Sequence, residues 1–121
     1  MRNPFRKGYE ISLNRVHDTV SIREGDESLV LTVNADSQRM VAGLTKAQQK
    51  MKDVAESNEP TDEQTREVAL YFAGVIFGKE QAEQLLKFYA DDPASVISVC
   101  GQYFKNRLAD KIRKVQQKIK V

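Results

Sequence analysis

Val20–Val33, VSIREGDESLVLTV, is the stretch that decides how this chain folds. Before the central Gly25-Asp26-Glu27, the apolar residues Val20 and Ile22 alternate with polar neighbours, and the pattern reaches back to Val16. After it, Leu29, Leu31 and Val33 alternate in the same way. A period of two puts each apolar set on one face of a strand. Gly25 accepts the positive φ that a tight reversal needs, so the stretch predicts an antiparallel hairpin with one apolar face. Asp18 is the one polar member of the set Val16, Val20 and Ile22.

Upstream, Tyr9, Ile11 and Leu13 also alternate, which predicts a third strand. Strands are therefore expected over residues 9–33, preceded by a basic arm over 1–8. An isolated hairpin is marginal in water and must pack on something. Residues 34–121 supply that cover as helices. Asn34 or Asp36 can cap a first helix whose apolar positions are Met40, Leu44, Ala47, Met51 and Val54. It ends near Ser57-Asn58-Glu59-Pro60, because the residue before proline leaves the α region. Thr61 and Gln64 form a capping-box pair opening a second helix with a dense apolar run from Val68 to Phe77. Gly78 occupies the place of a left-handed C′ residue. A short third helix runs from about Lys79 to Tyr89, burying Ala82, Leu85, Leu86 and Phe88. Asp92-Pro93 then opens a fourth, with an aspartate cap and proline at the first helical position. Its apolar stripe, Val96, Ile97, Cys100, Tyr103, Phe104, Leu108, Ile112, Val115 and Ile119, continues to the C-terminus, and Gly101 is placed to soften it midway. The expected class is α+β: a small antiparallel sheet followed by about four helices in a single domain.

Composition narrows the function. At 121 residues, two separate cores would each be too small to be stable. The 40% hydrophobic and 30% charged content is too apolar for disorder and ordinary for a globular domain. No apolar run approaches the roughly 20 residues of a membrane span, and no apolar segment follows the N-terminal charges as in a signal peptide. The lone Cys100 excludes an internal disulfide and suits a reducing compartment, so a cytoplasmic location is expected. Charge is unevenly spread. From Lys105 onward there are seven basic residues and only Asp110 as an acid, whereas Asp53–Asp92 holds ten acids against Arg66, Lys79 and Lys87. Such a dipolar chain can associate head to tail, which builds rings or arrays.

The residues that carry chemistry elsewhere have structural explanations here. His17, at the end of a predicted turn, reads as an exposed turn histidine, since a metal site needs three or four ligands and nothing else has that spacing. Cys100 lies on the apolar stripe of its helix and reads as a packed thiol. Asp91 and Asp92 can be drawn as acid/base or metal-binding carboxylates, but Asp92 already caps a helix. The glycines form no phosphate-cradling pattern. No catalytic, cofactor or metal residues are assigned, and the chain is not expected to be an enzyme.

The basic last helix is the strongest local signal. Arg107, Lys111, Lys114 and Lys118 recur at steps of four, three and four beside the apolar stripe Leu108, Ile112, Val115 and Ile119. One reading is a helix docked on its own domain with its lysines in water. A second is a partner-binding helix that lays the apolar residues in a groove while the charges set orientation and association rate. A third is a surface for nucleic acid or membrane, against which stands the lack of aromatic residues after Phe104.

A wider pattern bears on the choice. The hairpin is followed by Asn34-Ala35-Asp36 and a helix, and then by Phe77–Lys114, FGKEQAEQLLKFYADDPASVISVCGQYFKNRLADKIRK. This resembles the tail assembly chaperones of long-tailed bacteriophages and prophages of Gram-positive bacteria, which carry an F-G-x-x-x-A-x-x-L-L-x-F-Y segment and then a helix with a basic end like Ile112-Arg113-Lys114. The resemblance implies a binding role without cofactor or chemistry: coating an aggregation-prone tape-measure protein and recruiting tail-tube subunits. The arm Arg2–Lys7 falls outside it. The leading expectation is thus a phage-type assembly chaperone or adaptor that contacts a protein partner through Arg107, Leu108, Lys111, Ile112, Lys114, Val115, Lys118 and Ile119, with homo-oligomers as a further option. The alternative is a small nucleic-acid-associated regulator that uses the same basic helix.

Overall fold

A computed structural model describes residues 14–119, an α+β arrangement of one hairpin and four helices. The proposed arm over 1–8 and the strand through Tyr9, Ile11 and Leu13 lie outside the described residues. Strands β1 (Arg15–Glu24) and β2 (Glu27–Asp36) pair antiparallel from Arg15↔Asp36 to Glu24↔Glu27. They are joined by a two-residue turn with Gly25 at φ 62°, where a side chain would be strained. The register sets Val16, Asp18, Val20 and Ile22 opposite Ala35, Val33, Leu31 and Leu29 on one face. Val16, Ile22, Leu31 and Val33 are buried there, while His17, Thr19, Ser21, Arg23, Val30 and Thr32 face water. The alternation therefore gives a two-stranded sheet with a single covered face.

Helix α1 (Ser37–Ala55) starts at Asp36, whose carboxylate accepts from the amides of Gln38 and Arg39. Helix α2 (Asp62–Phe77) carries the full Thr61–Gln64 capping box. Buried through Val68, Ala69, Phe72, Ala73, Ile76 and Phe77, α2 is the central element and packs against β2 and α1. The α1–α2 crossing is close at Gly43, where a Cβ would come within 2.8 Å of Val75.

Gly78 ends α2 and also begins α3 (Lys79–Phe88). Its φ of 89° is positive as the sequence suggests, but ψ is 159°, so it takes the extended glycine-only region and not the left-handed helical one. This conformation turns the chain at a single residue. Gln81 of α3 then closes the free edge of β2. Its side-chain amide accepts from Thr32 N–H at 2.9 Å and donates to Thr32 C=O at 2.8 Å, as a paired strand would. At the hairpin tip, the Tyr89 hydroxyl donates to Glu24 at 2.9 Å, and burial together with that carboxylate pushes the phenol up to about 12.

Helix α3 closes with a Schellman pattern in which Ala90 N–H donates to Lys87 C=O and Asp91 N–H to Leu86 C=O, each at 2.9 Å. This places Ala90 (φ 55°) and Asp91 (φ 62°) in the left-handed region without a glycine. Asp92 then caps the fourth helix as expected, accepting from Ala94 N–H and the Ser95 hydroxyl. That helix is in three parts: α4 (Pro93–Tyr103), a π-helical turn (Phe104–Leu108) and α5 (Ala109–Ile119). The break expected near Gly101 falls at Phe104–Leu108, and its form is a widened turn that keeps the rod continuous, with Ala109 N–H donating to Phe104 C=O.

Ala90 is exposed, so its methyl group has little packing to lose. Ala90→Gly is expected to raise the unfolding free energy by about 0.5–1 kcal/mol, the relief of left-handed strain less the extra unfolded-state entropy of glycine. Urea denaturation reads this as a higher midpoint at unchanged slope; a lower midpoint contradicts it.

Candidate functional site

The π turn organises both notable features of the surface. The buried residues of the fourth helix are Val96, Cys100, Tyr103, Leu108 and Ile112, with Val115 half-buried against the same core. Their steps are four, three, five, four and three. An ordinary helix keeps a stripe facing one way with steps of three and four. The step of five between Tyr103 and Leu108 requires one extra residue, and the π turn absorbs it.

Across the turn lies Asp18, the polar intruder in the apolar face of β1, its side chain only 5% exposed. The Tyr103 hydroxyl donates to one carboxylate oxygen at 2.7 Å, and Arg107 grips both oxygens through Nε at 2.7 Å and Nη2 at 2.9 Å. Thr19 N–H donates at 2.9 Å, and Lys111 Nζ stands 3.9 Å away. Burial pushes this carboxyl up, but Arg107, Tyr103, Thr19 and Lys111 together outweigh it and hold Asp18 below the ordinary carboxylate range. Burial and the Asp18 charge push the Tyr103 phenol up, so it stays a donor. The fourth helix is thereby latched onto the sheet.

The second feature is an open apolar groove of about 460 Å³ on the far side of the rod. One wall is α1, with Val41, Leu44, Thr45, Gln48 and Met51; the floor is Phe72; the other wall is Ile97, Gly101, Phe104, Ala109 and Ile112. Val41 and Phe104 are among the most exposed large hydrophobic residues described. Phe104 and Ala109 bracket the π turn, which carries this wall past the widening.

The sequence-proposed contacts are placed as follows. Leu108 is fully buried and Ile112 is 5% exposed, so both belong first to this chain's own core. Val115 is half-buried against it. Arg107 and Lys111 face Asp18 within the chain and share its single negative charge, Arg107 directly and Lys111 at 3.9 Å. Lys114 pairs with Asp110 at 3.1 Å, an acid that Arg113 also contacts. The side chains of Lys118 and Ile119 lie outside those described. The continuous binding stripe drawn along the last helix is thus divided, because the π turn rotates its residues between the core, the latch and the groove. Among the described residues of that set, Ile112 alone also lines the groove.

His17 is an exposed residue inside β1, not a turn residue. Cys100 is fully buried, and burial pushes its thiol up to about 12, which leaves little thiolate at neutral pH. Asp91 is exposed and 3.8 Å from Arg66. Among the described residues no group of three or more His, Cys, Asp or Glu is placed to hold a metal ion, and no helix is long and apolar enough to cross a membrane. Sequence reasoning missed Val41, Phe104, Gly101 and Ala109 as one surface. A signal was present: Val41 lies beside the α1 stripe of Met40, Leu44, Ala47, Met51 and Val54, and Phe104 follows directly on Tyr103, so each helix carries one more apolar side chain than a single face holds.

Comparisons with family models, with curated proteins and with solved structures give no match to this chain.

Three outcomes follow from this geometry. Asp18→Ala strands Tyr103 and Arg107 and is expected to cost about 2 kcal/mol, a value kept modest because Arg107 is 59% exposed. A carboxyl depressed by folding contributes stability above the ordinary carboxylate range and loses it as pH falls through that range toward the lower folded value. Acid titration of unfolding should therefore be shallower in Asp18→Asn than in wild type; parallel curves refute the latch. Cys100 should resist a disulfide-exchange reagent in the native state and react once denaturant is added, and rapid native labelling refutes its burial.

Proposed function

We propose that this chain is a non-catalytic assembly chaperone or adaptor of the phage-tail type, which binds a tape-measure-like or tail-tube protein during assembly. The observation that carries the reading is the apolar groove between α1 and the fourth helix, open among the described residues, whose other apolar stripes pack into the core. Helical partners are commonly held in this way, with an apolar helix face set into an apolar groove. The resemblance of Val20–Val33 and Phe77–Lys114 to tail assembly chaperones supports the same class of partner, a long helical polypeptide with exposed apolar faces.

The engagement of Arg107 and Lys111 by Asp18 weakens the nucleic-acid alternative, because two of the cations that would contact phosphate already have a buried anion. Binding through the groove buries apolar surface, so it tolerates salt, whereas phosphate contacts weaken steeply with it.

Co-expression with a helical tape-measure-type polypeptide should keep that polypeptide soluble and co-purify it at high salt. Aggregation of the polypeptide regardless of this chain, or binding to nucleic acid that salt abolishes, overturns the proposal.

A further inference from the structure

We infer that the groove takes the apolar face of an amphipathic helix whose flanks are acidic. The inference rests on the proposed protein-binding role and adds the chemistry of the occupant.

Length comes first. The α1 wall runs from Val41 to Met51, about 15 Å at 1.5 Å per residue, or roughly three helical turns. That matches a helix presenting anchors at i, i+3, i+4 and i+7. The lining offers little to a polar small molecule. The Thr45 hydroxyl donates its proton to Val41 C=O at 2.9 Å and can only accept from an occupant, which leaves Gln48 as the lining side chain able both to donate and to accept. Small-molecule sites place several convergent polar groups to fix orientation. Here the walls are aliphatic and aromatic, with the adaptable Met51 among them, which suits varied apolar side chains.

Charge then specifies the flanks. Val41, Thr45 and Gln48 lie on one stripe of α1, and the next residue on it is Lys52, which is exposed. On the opposite wall, Lys105 follows Phe104 and lies between the lining residues Gly101 and Ala109, also exposed. Arg113 stands one turn beyond Ala109, but it contacts Asp110. Glu56, a turn past Lys52, lies beyond the lining. Lys52 and Lys105 thus bracket the groove with positive charge from both walls, and carboxylates beside an apolar stripe complement them.

The fold supplies a plug that tests this. Gly101 lines the groove, and a Cβ there meets nothing within 4 Å. Gly101→Leu fills the groove from within, and because glycine is a poor helix former its Tm should at least equal that of wild type. The probes are two fluorescently labelled peptides of about five helical turns. Both carry leucines at i, i+3, i+4 and i+7, one with glutamate flanks and the other with lysine flanks.

Wild type is expected to bind the glutamate peptide about tenfold more tightly at low salt, with the gap closing at high salt. Gly101→Leu should weaken binding by about tenfold or more, and Lys52→Glu with Lys105→Glu should reverse the peptide preference. Equal binding of both peptides, or equal binding by Gly101→Leu and wild type, overturns the inference. So does a wild-type dimer in light scattering that Gly101→Leu converts to monomer, since a second copy is then the occupant. A tape-measure-type polypeptide held equally well by Gly101→Leu leaves the assembly role standing and removes this site. Acidic-peptide binding without capture of such a polypeptide does the reverse.

Discussion

A buried carboxylate on the covered face of a two-stranded sheet is an expensive thing to fold around. Asp18 takes the place where the alternation of Val16, Val20 and Ile22 calls for another aliphatic residue, and burial alone would drive it toward the neutral acid. Its partners must therefore arrive in correct geometry, and apart from the neighbouring Thr19 amide they come from the fourth helix: the Tyr103 hydroxyl, the bidentate Arg107 guanidinium and the Lys111 ammonium. A bidentate arginine fixes direction as well as distance. The rest of the molecule follows from that requirement, because the helix must offer these three side chains to the sheet while it buries Cys100, Leu108 and Ile112 beneath them.

One regular helix does not meet both demands. With Tyr103 buried, the stripe continues in phase only at residues three or four further on, which would bring Asn106 or Arg107 into the core. The π turn adds a residue, keeps Arg107 at the carboxylate and delivers Leu108 to the interior. The same extra residue moves Ala109 and Ile112 onto the wall that faces α1. The groove is thus a by-product of the latch: the residues that hold the rod on the sheet and those that line the open face are separated by the widening of a single turn. This gives physical content to the frequent occurrence of π turns at functional sites.

Much of this architecture is legible in the order of residues. The Gly25 turn, the inward set of each strand, the Thr61–Gln64 box and the Asp92-Pro93 start are local chemistry, and each acts within a few residues of where it is written. What escapes is long-range or phase-dependent. Tyr103 and Phe104 are adjacent, and a stripe drawn through Phe104 runs from Cys100 to Leu108 at steps of four, which hides the step of five from the buried Tyr103. Asp18 stands out as an irregularity in its strand, but its partners lie 85 and 89 residues away, and no local rule connects them. Ala90 and Asp91 likewise break the habit that a left-handed helix end is a glycine, because the two hydrogen bonds back to Lys87 and Leu86 hold them there. The last helix misleads for the same reason: its basic residues are evenly spaced in sequence, yet the fold assigns Arg107 and Lys111 to a buried anion and Lys114 to Asp110.

That assignment changes what the dipolar charge layout can do. Electrostatic attraction between the acidic middle and the basic end acts mainly through charges that remain solvated and unpaired, and it falls off over about 8–10 Å at physiological salt. Arg107 and Lys111 share the one charge of Asp18, and Lys114 shares Asp110 with Arg113, so part of the positive charge of this helix is offset within the chain. Lys52 and Lys105 stand exposed next to residues that line an apolar trough, so attraction and burial can act at the same place on a partner. An apolar trough alone favours almost any greasy segment, and a lysine cluster alone favours almost any anion. Their coincidence would favour segments that carry both features in one helix, a discrimination that needs no specific hydrogen bond and that the proposed assembly role calls for.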